Sequence, residues 1–299
     1  MSHNYKFKNL FDRYLIQLKN AGVQSPRADL QILFSFFLKI SVGDVRKKII
    51  LDDKINFDDS SFQKLINLRI SGIPVQIITR SVNFFGYDLF IKEGVFIPRP
   101  ETEMLVEKCL AYFDFLYSDA MDIDYDFVGT LNILDLCTGS GAILISLINE
   151  FNQRLIDCFG VGVDINPTAI ALAKKNSANI KEQIDLIHAD ATIFQAEKKF
   201  NIITCNPPYV PDYAKLNGSA EFDPKIALYG GGEDGTEVPK KIIENAVNFC
   251  LPGTFFVMEH FETQADEIAK HFLKCGFEEV SMITDLNNQP RFTCGVYNG

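Results

Sequence analysis

The sequence predicts an α/β fold: a mostly parallel sheet covered by helices, preceded by a small helical bundle. Three observations carry this. From residue 131 onward, short apolar runs alternate with amphipathic stretches, the pattern of βα units around a parallel sheet buried on both faces. Over the first 75 residues apolar side chains recur at helical spacing. The chain closes on two β-rich runs around a turn, which adds an antiparallel strand.

Phe7, Leu10, Phe11, Tyr14, Leu15 and Leu18 follow one another at steps of three or one, one face of a first helix. Ala21-Gly22 stops it. Ser25-Pro26 starts the next, with a hydroxyl to cap orphan N–H groups and a proline at the first helical position. Residues 27–38 are apolar nearly all round, as expected at the centre of a bundle. Helices near 42–50 and 60–70 follow, and Gly72 and Pro74 end the last. This gives a bundle of about four helices over residues 1–75. The run Val75-Gln76-Ile77-Ile78 and residues 84–91 are β-rich, with breaks at Gly86 and Gly94, so residues 76–97 read as a hairpin linking two domains.

The second domain is expected over residues 98–299. Pro98 and Pro100 frame Arg99, and Glu101-Thr102-Glu103 opens a helix with its acids at the positive end of the dipole. Residues 112–130, with Asp114, Asp119, Asp122, Asp124 and Asp126, read as a solvated helix end and loop. Strands are expected at 133–137, 160–165, 184–189, 200–205 and 254–259, with helices at 142–148, 167–176, 239–249 and 263–275. The closing runs are 279–283 and 292–297, around a turn at Asn287-Asn288-Gln289-Pro290.

Composition bounds the function. The chain has 299 residues, 47% hydrophobic and 23% charged, with 26 phenylalanines and no tryptophan, which excludes disorder, collagen-like repeats and coiled coil as the main state. The net charge of −10 is split unevenly. Residues 1–80 carry 13 Lys/Arg against 7 Asp/Glu, and residues 81–299 carry 16 against 32, so the two parts are suited to different jobs. An acidic protein surface is a poor binder of nucleic-acid phosphate. Seven scattered cysteines without a Cys-x-x-Cys pair, and no His cluster, suggest neither a disulfide framework nor a metal site, and fit the cytoplasm. No signal peptide and no membrane span are read.

Two motifs carry chemistry. Asp135-Leu136-Cys137-Thr138-Gly139-Ser140-Gly141 sits between a strand and a helix, where glycines let the backbone approach a ligand at the carboxyl edge of the sheet. The spacing is neither that of a dinucleotide fold nor of a P-loop. Asp164 ends the next strand, 25 residues after Gly139, where a carboxylate accepts hydrogen bonds from ribose hydroxyls. With Asp135 as a partner for an ammonium group, these residues point to S-adenosylmethionine; the bland reading is a Gly-rich turn. Asn206-Pro207-Pro208-Tyr209 follows the fourth parallel strand. Asn206 offers a side-chain carbonyl and Pro207 a main-chain one, two acceptors matching the two hydrogens of a planar –NH₂, while Tyr209 can stack on the flat group. Methyl transfer onto such a nitrogen needs no nucleophile from His3, His188, His260 or His271, all read as structural or solvated.

Together with Ile97-Pro98-Arg99-Pro100-Glu101-Thr102-Glu103, these motifs resemble the bacterial release-factor glutamine N5-methyltransferases, from about residue 69 to the C-terminus. Gly162-Val163-Asp164-Ile165-Asn166-Pro167 and the run from Ala227 to Gly235 support the resemblance. It implies a class I, Rossmann-like fold with a seven-stranded sheet and a substrate-recognising bundle. It implies methylation of the glutamine in the Gly-Gly-Gln loop of class I peptide chain release factors by S-adenosylmethionine, with no metal, no nucleic acid and no membrane, by a monomer. By position, the cofactor falls to Cys137, Thr138, Gly139, Ser140, Gly141, Asp164, Ala191 beside Asp190, and Asn206. The substrate amide falls to Asn206, Pro207, Pro208 and Tyr209, with Asn206, Pro207 and Tyr209 catalytic.

There are departures from the family pattern. Cys137 and Arg80 stand for glycines, and Asp223-Pro224 for Glu-Pro. Ala191 stands where a tryptophan often flanks adenine, leaving Ile165 or Phe194 to stack. The alternatives are a ribosomal-protein glutamine methyltransferase, which lacks the Pro-Glu-Thr-Glu continuation, a DNA adenine N6-methyltransferase, which the acidic catalytic part disfavours, and a non-catalytic binding module, which needs no paired acceptors. The charge split suggests that the basic bundle docks an acidic face of the release factor.

Overall fold

The structure is a computed structural model and describes residues 3–117, 129–215, 218–285 and 287–299. It divides into two units, each with its own core: Met1–Ser81 with Leu216–Phe222, and Val82–Lys215 with Asp223–Gly299.

The first unit is helical. Its elements are β1 (His3–Lys6), α1 (Phe7–Asn20), α2 (Pro26–Leu38), α3 (Val42–Leu51), β2 (Lys54–Phe57), α4 (Asp59–Ile70) and α5 (Val75–Thr79). All six apolar residues predicted on one face of α1 are buried. They close on Phe34 of α2, whose ring stacks on Phe62 with centroids 4.3 Å apart. Ser41 and Asp58 cap α3 and α4 by accepting from the Asp44 and Ser61 N–H groups. Ser25 makes no such side-chain bond, so proline alone marks the start of α2.

Two features differ from expectation. β1 and β2 form an antiparallel pair, from His3 opposite Phe57 to Lys6 opposite Lys54. Strands of four residues with a single buried side chain leave no readable alternation. The β-rich run from Val75 to Ile78, read as the start of the linking hairpin over 76–97, is the helix α5. Pro74 precedes it, the Thr79 hydroxyl donates to the Val75 carbonyl at 2.9 Å, and Arg80 ends it in left-handed backbone at φ 56°. β-branched residues lower helix propensity only slightly, and the cap geometry outweighs them here.

The hairpin itself is β3 (Ser81–Phe84) and β4 (Tyr87–Phe90). Its two-residue turn puts Phe85 and Gly86 both at positive φ, 51° and 84°.

The second unit carries α6 (Glu103–Tyr117), β5 (Leu131–Leu136), α7 (Ala142–Gln153), β6 (Cys158–Asp164), α8 (Pro167–Asn176), β7 (Ile184–His188), β8 (Phe200–Cys205), α9 (Glu237–Ala246), β9 (Cys250–Glu259), α10 (Ala265–Lys274), β10 (Phe277–Thr284) and β11 (Pro290–Tyr297). The acidic stretch predicted over 112–130 falls largely outside the described residues; Asp114 lies on α6. The sheet runs β10-β11-β9-β8-β5-β6-β7. β9, β8, β5, β6 and β7 are mutually parallel, and β11 runs against both β9 and β10. One apolar core lies on each face, so β5 is buried along almost its whole length. β5 is flanked by β6 on one side and β8 on the other. The connections leaving these strands diverge there, which opens a crevice at their carboxyl ends.

Candidate active site

A cleft of about 380 Å³ occupies that crevice. Cys137, Thr138, Gly139 and Ser140 line it from the end of β5, Asp164 from β6, and Asn206, Pro207, Pro208 and Tyr209 from the end of β8, with Asp190 and Ala191 on a further wall. The structure thus brings together every predicted site residue except Asp135 and Gly141, which do not line the cleft. Gly141 starts α7 at φ 83°. A Cβ there would lie 2.9 Å from Ile145 Cδ1 and 3.2 Å from Ala173 Cβ, so it is needed for packing α7 against α8.

The glycine loop is stitched to β6. The Thr138 N–H donates to the Val163 carbonyl at 2.9 Å, and the Gly139 N–H to Asp164 Oδ2 at 2.8 Å. Cys137, at φ 62°, holds a left-handed conformation that costs a side-chain-bearing residue about 1–2 kcal/mol. Ser140 Oγ is buried without a hydrogen-bond partner in a residue that lines the cleft. Asp164 also accepts from the Asn166 N–H at 2.8 Å. Burial pushes its pKa up, and these two N–H groups pull it back down.

Asp135 does not serve as predicted. It is fully buried beneath the loop, where Oδ2 accepts from the Thr138 hydroxyl at 2.6 Å and Oδ1 from that of Thr204 at 2.7 Å. It is no partner for a ligand ammonium group. Desolvation raises its pKa to about 7. The folded state therefore keeps a proton that the unfolded chain releases near pH 4. That contribution to stability is complete below the ordinary carboxylate range and is lost as pH rises through about 7. Relative to Asp135→Asn, the wild-type chain is expected to lose on the order of 3 kcal/mol between pH 5 and pH 8. Denaturant unfolding at several pH values measures this, and a difference independent of pH would exclude it.

On the adjoining wall, Asp190 Oδ1 accepts from the Thr192 N–H and hydroxyl, which shapes the turn carrying Ala191. Asn245 of α9 donates to the Ala191 and Phe194 carbonyls at 3.0 and 2.9 Å. Of the two side chains offered as substitutes for tryptophan, Ile165 lines the cleft. Phe194 is instead buried against Phe249 and is not available to a ligand. Among the described side chains, His188, His260 and His271 do not line the cleft.

The segment Asn206 to Tyr209 is held from behind. Val210 N–H donates to the Leu228 carbonyl at 2.7 Å, and Gly230 N–H to that of Val210. The Tyr209 carbonyl accepts from Gln264 Nε2 at 2.7 Å, and the Tyr209 phenol donates to Glu259 Oε1 at 2.8 Å. Glu259 Oε2 accepts from the Thr102 hydroxyl at 2.8 Å, and Thr102 Oγ1 accepts from Asn206 Nδ2 at 3.3 Å. Burial raises the pKa of both Glu259 and Tyr209. In the Ile97 to Glu103 segment, Arg99 forms an ion pair with Asp223, whose Oδ1 also accepts from the Ile97 N–H at 3.1 Å. Pro98 and Thr102 reach the cleft.

Sequence reasoning missed Glu259, Gln264 and Asn245. The only signal available for Glu259 was a carboxylate ending the apolar strand from Thr254.

Chemically, one end of the cleft offers the carboxylates of Asp164 and Asp190 and the unpartnered Ser140 hydroxyl to a polar ligand. The other offers the Asn206 carboxamide beside a ring and two prolines.

Comparison with known proteins bears on this cleft. Residues 123–220 match the family described as Methyltransferase small domain. The chain is 31% identical over 295 residues to the release factor glutamine methyltransferase of Bifidobacterium longum, covering 94% of this chain and 96% of that one. It is 31% identical to the enzyme of that name from Mycolicibacterium smegmatis, covering 92% of each chain. The corresponding Salmonella typhimurium protein is 30% identical, covering 97% of this chain and 99% of that one. The α/β sheet is the expected class I methyltransferase fold, with seven strands and an antiparallel closing strand.

Proposed function

The chain belongs to the release factor glutamine methyltransferase family, and on that premise we propose that it methylates the side-chain amide nitrogen, N5, of the glutamine in the Gly-Gly-Gln loop of class I peptide chain release factors. The observation that carries this is the meeting, in one cleft, of Asn206-Pro207-Pro208-Tyr209 with the glycine loop and Asp164.

S-adenosylmethionine fits the ligand end of the cleft. Asp164 keeps lone pairs for ribose hydroxyls beyond the two N–H groups it accepts from, and Ser140 has a buried hydroxyl without a partner. Ala191 and Ile165 provide apolar surface for a base. The bound cofactor supplies a methyl group on a positively charged sulfur.

The chain's own residues do the rest. Asn206 and Pro207 accept the two hydrogens of the glutamine carboxamide, and Tyr209 flanks its plane. A nitrogen so held turns its lone pair towards the methyl carbon. Holding the reacting atoms in line is worth on the order of 7–11 kcal/mol of barrier. An amide nitrogen is barely basic, so no side chain has to take its proton before attack; one of its two hydrogens leaves to water as a proton once the N–C bond has formed, which makes the net change one CH₂.

The enzyme acts in the cytoplasm in this reading. Its seven thiols are all free, and no described helix is long and apolar enough to cross a membrane. The basic first unit is assigned to docking an acidic face of the release factor, a role that the charge split supports.

Purified release factor incubated with this protein and S-adenosylmethionine is expected to gain about 14 Da on the Gly-Gly-Gln peptide, read by mass spectrometry, from one added CH₂. No gain would refute the assignment. Equal kcat/KM on the intact factor and on a short Gly-Gly-Gln peptide would refute the docking role.

A further inference from the structure

We propose that Thr102 and Glu259 are positioning residues that fix which end of the Asn206 carboxamide faces the substrate. The inference deepens the assignment above and rests on it.

A carboxamide has nearly the same shape either way round, so packing alone does not choose between its oxygen and its NH₂ group. The choice matters at this site. With Oδ1 turned to the substrate, Asn206 accepts a hydrogen from the glutamine NH₂. With Nδ2 turned to it, two donors face each other and the glutamine nitrogen loses its hold.

The hydrogen-bond chain behind Asn206 makes the choice. Both side-chain oxygens of Glu259 act as acceptors here. It takes the Thr102 hydroxyl hydrogen on Oε2 at 2.8 Å and the Tyr209 phenol hydrogen on Oε1 at 2.8 Å. Thr102 has one hydroxyl hydrogen, and it is spent there. The lone pairs left on its Oγ1 admit only a donor, which is Asn206 Nδ2 at 3.3 Å. Oδ1 therefore points away from Thr102. Glu259 and Thr102 are both almost wholly buried, so water does not compete for these positions. The same carboxylate orients both residues that hold the substrate amide, through Thr102 on one side and directly on Tyr209 on the other. This gives the Pro-Glu-Thr-Glu segment a purpose: it delivers a hydroxyl to the back of the amide-binding loop.

The test uses the full chain with purified class I release factor and S-adenosylmethionine. Valine matches threonine in shape but lacks the hydroxyl, whereas serine keeps it. Thr102→Val is expected to lower kcat about 10- to 100-fold while cofactor affinity by calorimetry stays at the wild-type value. Thr102→Ser is expected to restore most of the turnover. Wild-type turnover in Thr102→Val, or equal losses in the valine and serine variants, overturns the proposal, because a purely packing role predicts that valine is the milder change. If Thr102→Val does not bind cofactor, Glu259→Gln replaces it. A Glu259→Gln chain that binds cofactor and turns over like wild type also overturns the proposal, and a loss confined to kcat supports it. Asn206→Ala run alongside separates the two levels. An inactive Asn206→Ala beside a fully active Thr102→Val sinks this inference alone, whereas an active Asn206→Ala sinks the reading of the site and this inference with it.

Discussion

Asn206→Ala is expected to lower kcat by on the order of 10²–10³, the scale found when one preorganised hydrogen-bonding partner is removed from a reacting group. Asn206 sits at the first position after β8 and lines the cleft, and its carboxamide is the side-chain acceptor proposed for the glutamine NH₂, since the Tyr209 phenol donates to Glu259. Alanine leaves Pro207 to hold one hydrogen alone, so the glutamine nitrogen swings off the line of attack. Cofactor affinity is expected to change far less, under about tenfold, because the glycine loop and Asp164 stand on β5 and β6. Calorimetry and steady-state kinetics on the same preparation separate the two effects. A variant that lost cofactor binding and kcat in equal measure would show that Asn206 is chiefly a cofactor residue.

The second large effect is expected from a residue that touches no ligand. Gly230 has ordinary backbone angles, yet a Cβ there would collide with the Gly235 carbonyl and come within 2.8 Å of the Pro208 carbonyl. Both are main-chain atoms, so no rotamer change relieves the clash. Gly235 is equally constrained, at φ 72° and pressed against the Tyr209 carbonyl and Pro211. Gly230→Ala must therefore push the run from Leu228 to Gly235 off the back of Asn206 to Tyr209. The expected cost is about 3 kcal/mol of stability, a fall of roughly 5–10 °C in melting temperature, with turnover lost well below that temperature. Calorimetry with an activity assay at 25 °C checks both. Full activity would mean that the loop gives way outward and leaves the amide-binding segment where it was.

These two residues show how unevenly the protein could be read from its sequence. Asn206 was visible because its chemistry is local: an acceptor, two prolines and a tyrosine in a row at a strand end. Strand 200–205 was found with its full bounds, since five of its six residues are apolar or β-branched, with polar neighbours on either side. Helix α8 was likewise fixed at both ends by Pro167 and the break after Asn176. What could not be read depends on residues far apart along the chain. β1 and β2 are separated by almost fifty positions and carry almost no apolar pattern. Glu259 becomes meaningful only when β9 lies beside β8 and Thr102, just before α6, reaches it. Asp135 was misread for the same reason. From sequence it is a polar residue beside a glycine loop; only the sheet shows that its side chain points down onto Thr204 of the neighbouring strand. Cys137 and Arg80 were marked as standing in for glycine, and the backbone at both positions is the left-handed one that favours glycine.

The hydrogen bond from Thr102 to Glu259 spans 157 positions, and the ion pair from Arg99 to Asp223 spans 124. Contacts of such sequence separation form late, because the loop they close must first be collected from a disordered polymer. During translation, a nascent polypeptide ending short of Glu259 holds the first helices and four of the five parallel strands, yet lacks the carboxylate proposed to orient Asn206. A polypeptide cut before Glu259 is therefore expected to turn over release factor more slowly than the 299-residue chain, which a methylation assay on the two measures.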